Sequence, residues 1–297
     1  MPAPPWPGRS LPSPPACAAA ASPYFASMRP LLLATLLLLA APMARAQAPV
    51  TSERASFRVT QFATGLERPW GGAFLPDGRL LVTERPGRLR LIGRDGRVSP
   101  PLRGVPTVEA EGQGGLLDLA LAPDFATTRE VYLCYAALVR DGGQTGAATR
   151  LARARLAPEA DALEAVTPLL DATPPQARGR NHFGCRIAFG RDGALFLSTG
   201  DRFVTKLRAQ RLDDLAGKIL RVSRNGAALA DNPFAGRPGV RPEIFSYGHR
   251  NPQGLAFSPW TGSLWEAGIR RPRRRRGEPD PPGRQLRLAG GDAWRGL

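Results

Sequence analysis

Apolar residues along this chain come in short runs broken by turn formers, and one phrase recurs: an apolar run, a tight turn, a second apolar run. Gly72 to Val82 is the first instance, and Leu119 to Asp124 begins the second. Ile187 to Leu197 is the third and Leu255 to Trp265 the fourth. Asp77-Gly78, Asp192-Gly193 and Thr261-Gly262 sit between the paired runs, and such dipeptides tolerate the positive φ that a tight hairpin demands. The pattern therefore predicts strands joined by hairpins rather than helices. Aligned on Phe74, Leu121, Phe189 and Phe257, the phrases recur at spacings of 47, 68 and 68 residues. A repeat of about 40 to 50 residues suits propeller blades carrying inserted loops. A β-sandwich is the alternative, but it does not predict a recurrent hairpin phrase at blade-like spacing. The 33 glycines and 31 prolines strengthen the all-β reading.

The N-terminal region follows a different pattern. Met28-Arg29-Pro30 precedes an apolar run from Leu31 to about Ala41, and Ala44-Arg45-Ala46 precedes Gln47. A basic start, an apolar core too short to span a bilayer and small residues before the cut read as a secretory signal peptide over 28–46. The expected location is periplasmic or secreted, with no membrane span after cleavage. Residues 1–27, rich in Pro and Ala, read as a mis-assigned leader and are excluded from fold reasoning.

Charge changes the picture less than its size suggests. The formal net charge is +16, but the stretch from Gly268 onward supplies six of those charges, largely through Arg270, Arg271 and Arg273 to Arg276. What remains is an Arg-rich domain whose only lysines are Lys206 and Lys218. A solvated basic face accounts for it, and no nucleic-acid partner is expected. Cys17 falls in the leader, which leaves Cys134 and Cys185. Export permits a disulfide, yet both lie in apolar, strand-like segments, and the sequence favours two unpaired buried thiols.

Candidate chemistry concentrates in three stretches: Glu111 to Asp118 with Gly-Gln-Gly-Gly at 112–115, Asn181 to Phe189, and Ser246 to Phe257. The last two hold both histidines, His182 and His249, each beside arginines and an amide and each just before a strand-like run. Loops at strand ends commonly carry function. His182 has the side chain whose ordinary pKa, about 6.5, suits a proton acceptor near neutral pH. Glu84 and Asp201 are available acids, but their spacing forms no metal cluster.

From about Phe57 to Glu266, these stretches resemble the soluble quinoprotein sugar dehydrogenases, the glucose/sorbosone dehydrogenase family. The resemblance implies a six-bladed β-propeller of which this chain carries about four blades, over residues 50–267. It implies pyrroloquinoline quinone (PQQ) and Ca2+ as cofactors, an aldose sugar as substrate, and an external electron acceptor. His182 matches the family's general base, which takes the proton of the C1 hydroxyl while hydride passes to the quinone. Gln113 matches a glutamine that hydrogen-bonds the quinone, with Gly114-Gly115 allowing close backbone approach. Arg250 and Asn251 match an Arg-Asn pair that contacts the cofactor's oxygens, a task suited to a permanently charged, forked donor. Asn181 stands where some members carry Asp, which leaves a carboxylate to orient the base unassured.

The resemblance stops abruptly after about Glu266. A change of one base in the reading frame near Arg270 is compatible with the family's continuation, so 268–297 reads as a frame-shifted, disordered tail. The calcium loop would fall at that break, so its ligands are unknown here and activity is expected to be impaired. Two other functions fit the same fold. A propeller lactonase needs a carboxylate-rich metal centre, and a propeller binding module needs no catalytic base.

Overall fold

The computed structural model describes residues 50–51 and 55–269. The expected leader, the signal segment and the Arg-rich stretch from 270 lie outside the described residues. The chain divides into two compact units at Thr60/Gln61. In the first, β1 (Val50–Thr51) pairs antiparallel with β2 (Ser56–Phe57).

The second unit holds four antiparallel sheets among its described residues, each wound as a meander in chain order. The first contains β3 (Pro69–Phe74), β4 (Leu80–Glu84) and β5 (Arg88–Ile92). The second contains β6 (Leu116–Leu121), β7 (Glu130–Asp141), β8 (Gln144–Leu156) and β9 (Leu163–Asp171). The third contains β10 (Gly184–Phe189), β11 (Leu195–Thr199), β12 (Lys218–Val222) and β13 (Ile244–Tyr247). The fourth pairs β14 (Asn251–Phe257) with β15 (Leu264–Ile269). Gly268 and Ile269, the first two residues of the expected tail, thus complete a strand.

The residues on which the four phrases align, Phe74, Leu121, Phe189 and Phe257, each close the first strand of a sheet. Gly78, Gly193 and Gly262 take positive φ in three of the turns that follow. After β6 the chain instead makes one helical turn, Phe125–Thr128, before β7. The first strands lie side by side, β3 against β6, β6 against β10 and β10 against β14. Successive meanders with neighbouring inner strands are propeller blades, and the expected all-β, incomplete propeller is what the chain forms.

The blades stack because their strands are apolar on both faces. Along β7, Val131, Leu133, Tyr135 and Ala137 enter the core shared with the first sheet. The intervening Tyr132, Cys134 and Ala136 enter the core shared with the third. On β11, Leu195 and Leu197 face the second sheet while Phe196 faces the fourth, together with Leu255 and Leu264.

That alternation corrects the reading of the cysteines. It puts Cys134 on the face of β7 turned toward β10, where Cys185 lies with the two Cα atoms 5.5 Å apart, and the two form a disulfide. An apolar strand setting and pairing are compatible because the partner comes from the next blade.

A second tie runs along the inner strands. Arg186 on β10 donates from Nη1 to Asp118 Oδ1 on β6 at 2.8 Å. From Nε it donates to the Gln253 carbonyl on β14 at 2.9 Å. Its guanidinium carbon lies 4.4 Å from the centroid of Trp70 on β3. The other Asp118 oxygen accepts the Ile187 N–H at 2.8 Å. One ion pair therefore touches the first strand of each of the four described sheets.

Two predictions follow from these ties. Cys134→Ala lowers unfolding free energy by about 2–4 kcal/mol, read by urea denaturation; reductant then destabilises the wild type and leaves the variant unchanged. Burial pushes the Asp118 carboxyl up to about 6, against the pull of Arg186. A carboxyl with a raised folded-state value binds its proton more tightly when folded. Its contribution is therefore favourable at pH 4 and diminishes as pH rises toward 6, by up to about 3 kcal/mol. Stability measured across that window in Asp118→Asn lacks this slope.

Candidate active site

Three loops that leave or enter inner strands converge on His182. It lies two residues before β10, in a left-handed conformation with φ of 54°, and is 5 % exposed. Its backbone N–H donates to Gln113 Oε1 at 2.9 Å. Gln113 is held in turn, its own N–H donating to the Arg180 carbonyl at 2.7 Å. Arg85 fixes the same loop by donating to the Gly112 and Gly114 carbonyls. Asn251, the first residue of β14, accepts the Gly184 N–H on Oδ1 at 3.0 Å and is buried. The sequence-predicted Gln113, His182 and Asn251 are thus brought together from three blades, through contacts separated by 69 residues (Gln113 to His182) and 67 residues (Gly184 to Asn251).

The imidazole has a carboxylate partner after all. Asp201, two residues past β11, places Oδ1 2.8 Å from His182 Nδ1, and both groups are buried. The uncertainty raised by Asn181 is resolved by a different residue, brought in by the β10–β11 hairpin. A carboxylate accepts from Nδ1–H, which leaves Nε2 as the basic nitrogen. The same Asp201 oxygen accepts the Phe203 N–H at 2.9 Å, and the Phe203 ring stands edge-on to the imidazole with centroids 5.1 Å apart. The sequence named Asp201 only as an available acid. The signal for its role is its place one blade hairpin after His182.

Close packing makes this geometry possible. A Cβ at Gly200 would stand 2.1 Å from the His182 carbonyl oxygen, so only glycine lets the chain bring Asp201 alongside. The Gly114-Gly115 pair is also required by the chain's own backbone. A Cβ at Gly114 would meet the Glu109 carbonyl at 2.3 Å, and one at Gly115 the Arg85 carbonyl at 2.0 Å.

Arg250 lies beside this cluster, its carbonyl accepting the Asp201 N–H at 2.7 Å and its guanidinium 5.6 Å from the Phe203 ring centroid. Its Nε is buried and has no acceptor among the described residues. His249, in contrast, is turned into the structure: Nε2 meets Ser246 Oγ at 2.8 Å, and Nδ1 lies 3.8 Å from Glu266. Glu84 is also structural, its buried carboxylate pairing with Arg88 and Arg90 at the end of β4. No group of three or more His, Cys, Asp or Glu side chains converges among the described residues.

This arrangement can take a proton at a buried, carboxylate-held imidazole beside an unmatched cationic donor. Replacing Asp201 with Ala leaves both the imidazole and the Phe203 N–H without their acceptor. The variant is expected to lose about 1–3 kcal/mol of stability, read by chemical denaturation.

A sequence profile of the glucose/sorbosone dehydrogenase family matches residues 66–270. The chain is 43% identical over 201 residues to an aldose sugar dehydrogenase of Escherichia coli, covering 67% of this chain and 53% of that protein. It resembles the crystal structure of the soluble E. coli aldose sugar dehydrogenase in its apo form, with a TM-score of 0.63 at 44% identity, over 68% of this chain and 57% of that one. It also resembles the PQQ-bound aldose sugar dehydrogenase of Streptomyces coelicolor, with a TM-score of 0.59 at 35% identity, over 70% and 58% of the two chains. The chain spans about half the length of the curated relatives it matches.

Proposed function

The chain belongs to the glucose/sorbosone dehydrogenase family, and from that premise we propose that the His182 site serves the PQQ-dependent oxidation of an aldose at C1. The observation that carries this reading is the His182–Asp201 pair, buried and aligned by Gln113, next to arginine nitrogens that lack acceptors. A quinone bearing several carboxylates fits such donors. Guanidinium groups keep their charge and form charge-assisted hydrogen bonds to carboxylates. Gln113, Arg250 and Asn251 are the residues from the sequence reading that would hold it.

When bound, the quinone supplies a two-electron acceptor for the hydride of the sugar's C1. His182 supplies the base. Its Nε2 takes the C1 hydroxyl proton, and the developing imidazolium is stabilised at Nδ1 by Asp201. Burial keeps water from competing for that proton and strengthens the ion pair formed. Gln113 fixes the backbone of the base rather than its ring, so the imidazole keeps one orientation through turnover.

Ca2+ belongs to the same proposal, but only through the stretch near 270, which lies outside the described residues. No step is routed through it. Export through the 28–46 segment, electron transfer to an external acceptor and a sugar substrate complete the reading. Among the described residues no helix is long and apolar enough to cross a membrane.

The test is His182→Ala. In protein reconstituted with PQQ, whose own turnover is expected to be impaired, residual oxidation of an aldose with an artificial electron acceptor is expected to fall by a further factor of about 10²–10⁴, while quinone affinity measured by fluorescence quenching changes little. Turnover that survives the substitution removes His182 from the role of base.

A further inference from the structure

Among the described residues, Arg202 is the one with two buried side-chain nitrogens that lack an acceptor. It follows Asp201 directly, is 4 % exposed, and takes a left-handed backbone with φ of 64°, as Phe203 does at 61°. Two successive residues in that region are strained, and strain of this kind collects at functional sites. Its guanidinium carbon lies 3.5 Å from the centroid of the buried Phe183 ring, and Nη1 reaches the His182 carbonyl only at 3.5 Å. Nε and Nη2 are buried and have no acceptor among the described residues.

Arg180 on the adjoining loop shares only part of this pattern. Its Nε is buried without a hydrogen-bond acceptor, but it forms ion pairs with Glu109 and Glu111 at 3.7 Å, and its Nη1 donates to the Ala177 and Gly179 carbonyls. Arg180 and Arg208 both add positive potential at Arg202, which burial first and these neighbours second push down to about 9. Burying a guanidinium that lacks an anion is strongly unfavourable, and proteins seldom retain one without a use. Arg208 has its own anion, a fork onto Asp214. Arg202 has none of that quality.

We propose that Arg202, together with Arg180, forms a carboxylate-binding station beside His182 that is additional to Arg250. The ligand of this site is then a polycarboxylate held by three guanidinium groups. The inference rests on the reading of the His182 site as a quinone site, and it names residues that nothing in their sequence context marks out.

The test uses the full chain and two probes, PQQ and benzene-1,3-dicarboxylate, a dicarboxylate without a quinone. Arg202→Gln is expected to weaken PQQ binding, measured by fluorescence quenching, at least about tenfold, the scale of a lost charge-assisted hydrogen bond. The dicarboxylate is expected to raise the melting temperature of the wild type and to leave that of Arg202→Gln unchanged. The ligand-free variant is expected to melt no lower than the wild type, because removing an unpaired buried charge does not destabilise. An arginine with a purely structural role gives the reverse, a less stable variant with unaltered ligand affinity, and that result overturns the proposal. If Arg202→Gln does not fold, the structural role is favoured, and Arg180→Gln must then show the tenfold loss for the station to stand.

The two readings fail separately. Wild type that binds PQQ with the same affinity as both variants overturns the station and leaves the proposed function intact. Wild type that ignores PQQ but is stabilised by the dicarboxylate through Arg202 overturns the quinone and supports the station. Wild type that responds to neither probe overturns both.

Discussion

The ion pair of Arg186 with Asp118 fixes how the inner strands of this propeller stand relative to one another. Through it β6 is held to β10, the guanidinium stacks on Trp70 of β3, and its remaining donor reaches the Gln253 carbonyl of β14. Apolar packing between blades is non-directional and tolerates sliding. A guanidinium with fixed donor directions does not. Burial raises the pKa of Asp118 to about 6 and so opposes its charged form, with Arg186 pulling the other way. The clamp is thus better understood as setting register than as adding stability.

The site depends on that register because its parts come from different blades. His182 precedes β10, Gln113 precedes β6 and Asn251 begins β14, and each touches the backbone or side chain of the group around His182. A shift of one blade by a strand residue would carry Asn251 away from Gly184 and Gln113 away from His182. The Cys134–Cys185 disulfide acts in the same place, since Cys185 lies three residues beyond His182. The left-handed backbone at His182, Arg202 and Phe203 is held by these surroundings. This gives the site its form: an imidazole fixed by a carboxylate, beside buried arginine nitrogens without an acceptor among the described residues.

Much of this was legible in the sequence, for physical reasons. Strand and turn chemistry is local, so the ends of β3, β10 and β14 could be located from apolar runs and Asp-Gly or Thr-Gly turns, and that of β6 from its apolar run alone. The motif around His182 carried its resemblance in contiguous residues, and Gln113 and Asn251 came with it. What could not be read depends on distance in space. Cys134 and Cys185 are 51 residues apart, and only the face alternation of β7 shows that they meet. Asp201 reaches His182 because a hairpin folds back and Gly200 lacks a side chain, neither of which marks it in the sequence as the partner of the base. Gly114-Gly115 suggested an approach to a ligand, and carbonyls of the chain itself also require glycine there. Arg202 looked like one arginine among many until its burial and missing acceptors set it apart.

The most direct test of the account is to load the protein with PQQ, mix it anaerobically with an aldose and follow the absorbance of the bound quinone without an external acceptor. Reduction of the quinone in a single turnover is expected, and it is expected to be lost in His182→Ala under the same loading. A quinone that binds at this site and stays oxidised in the presence of the sugar contradicts the account.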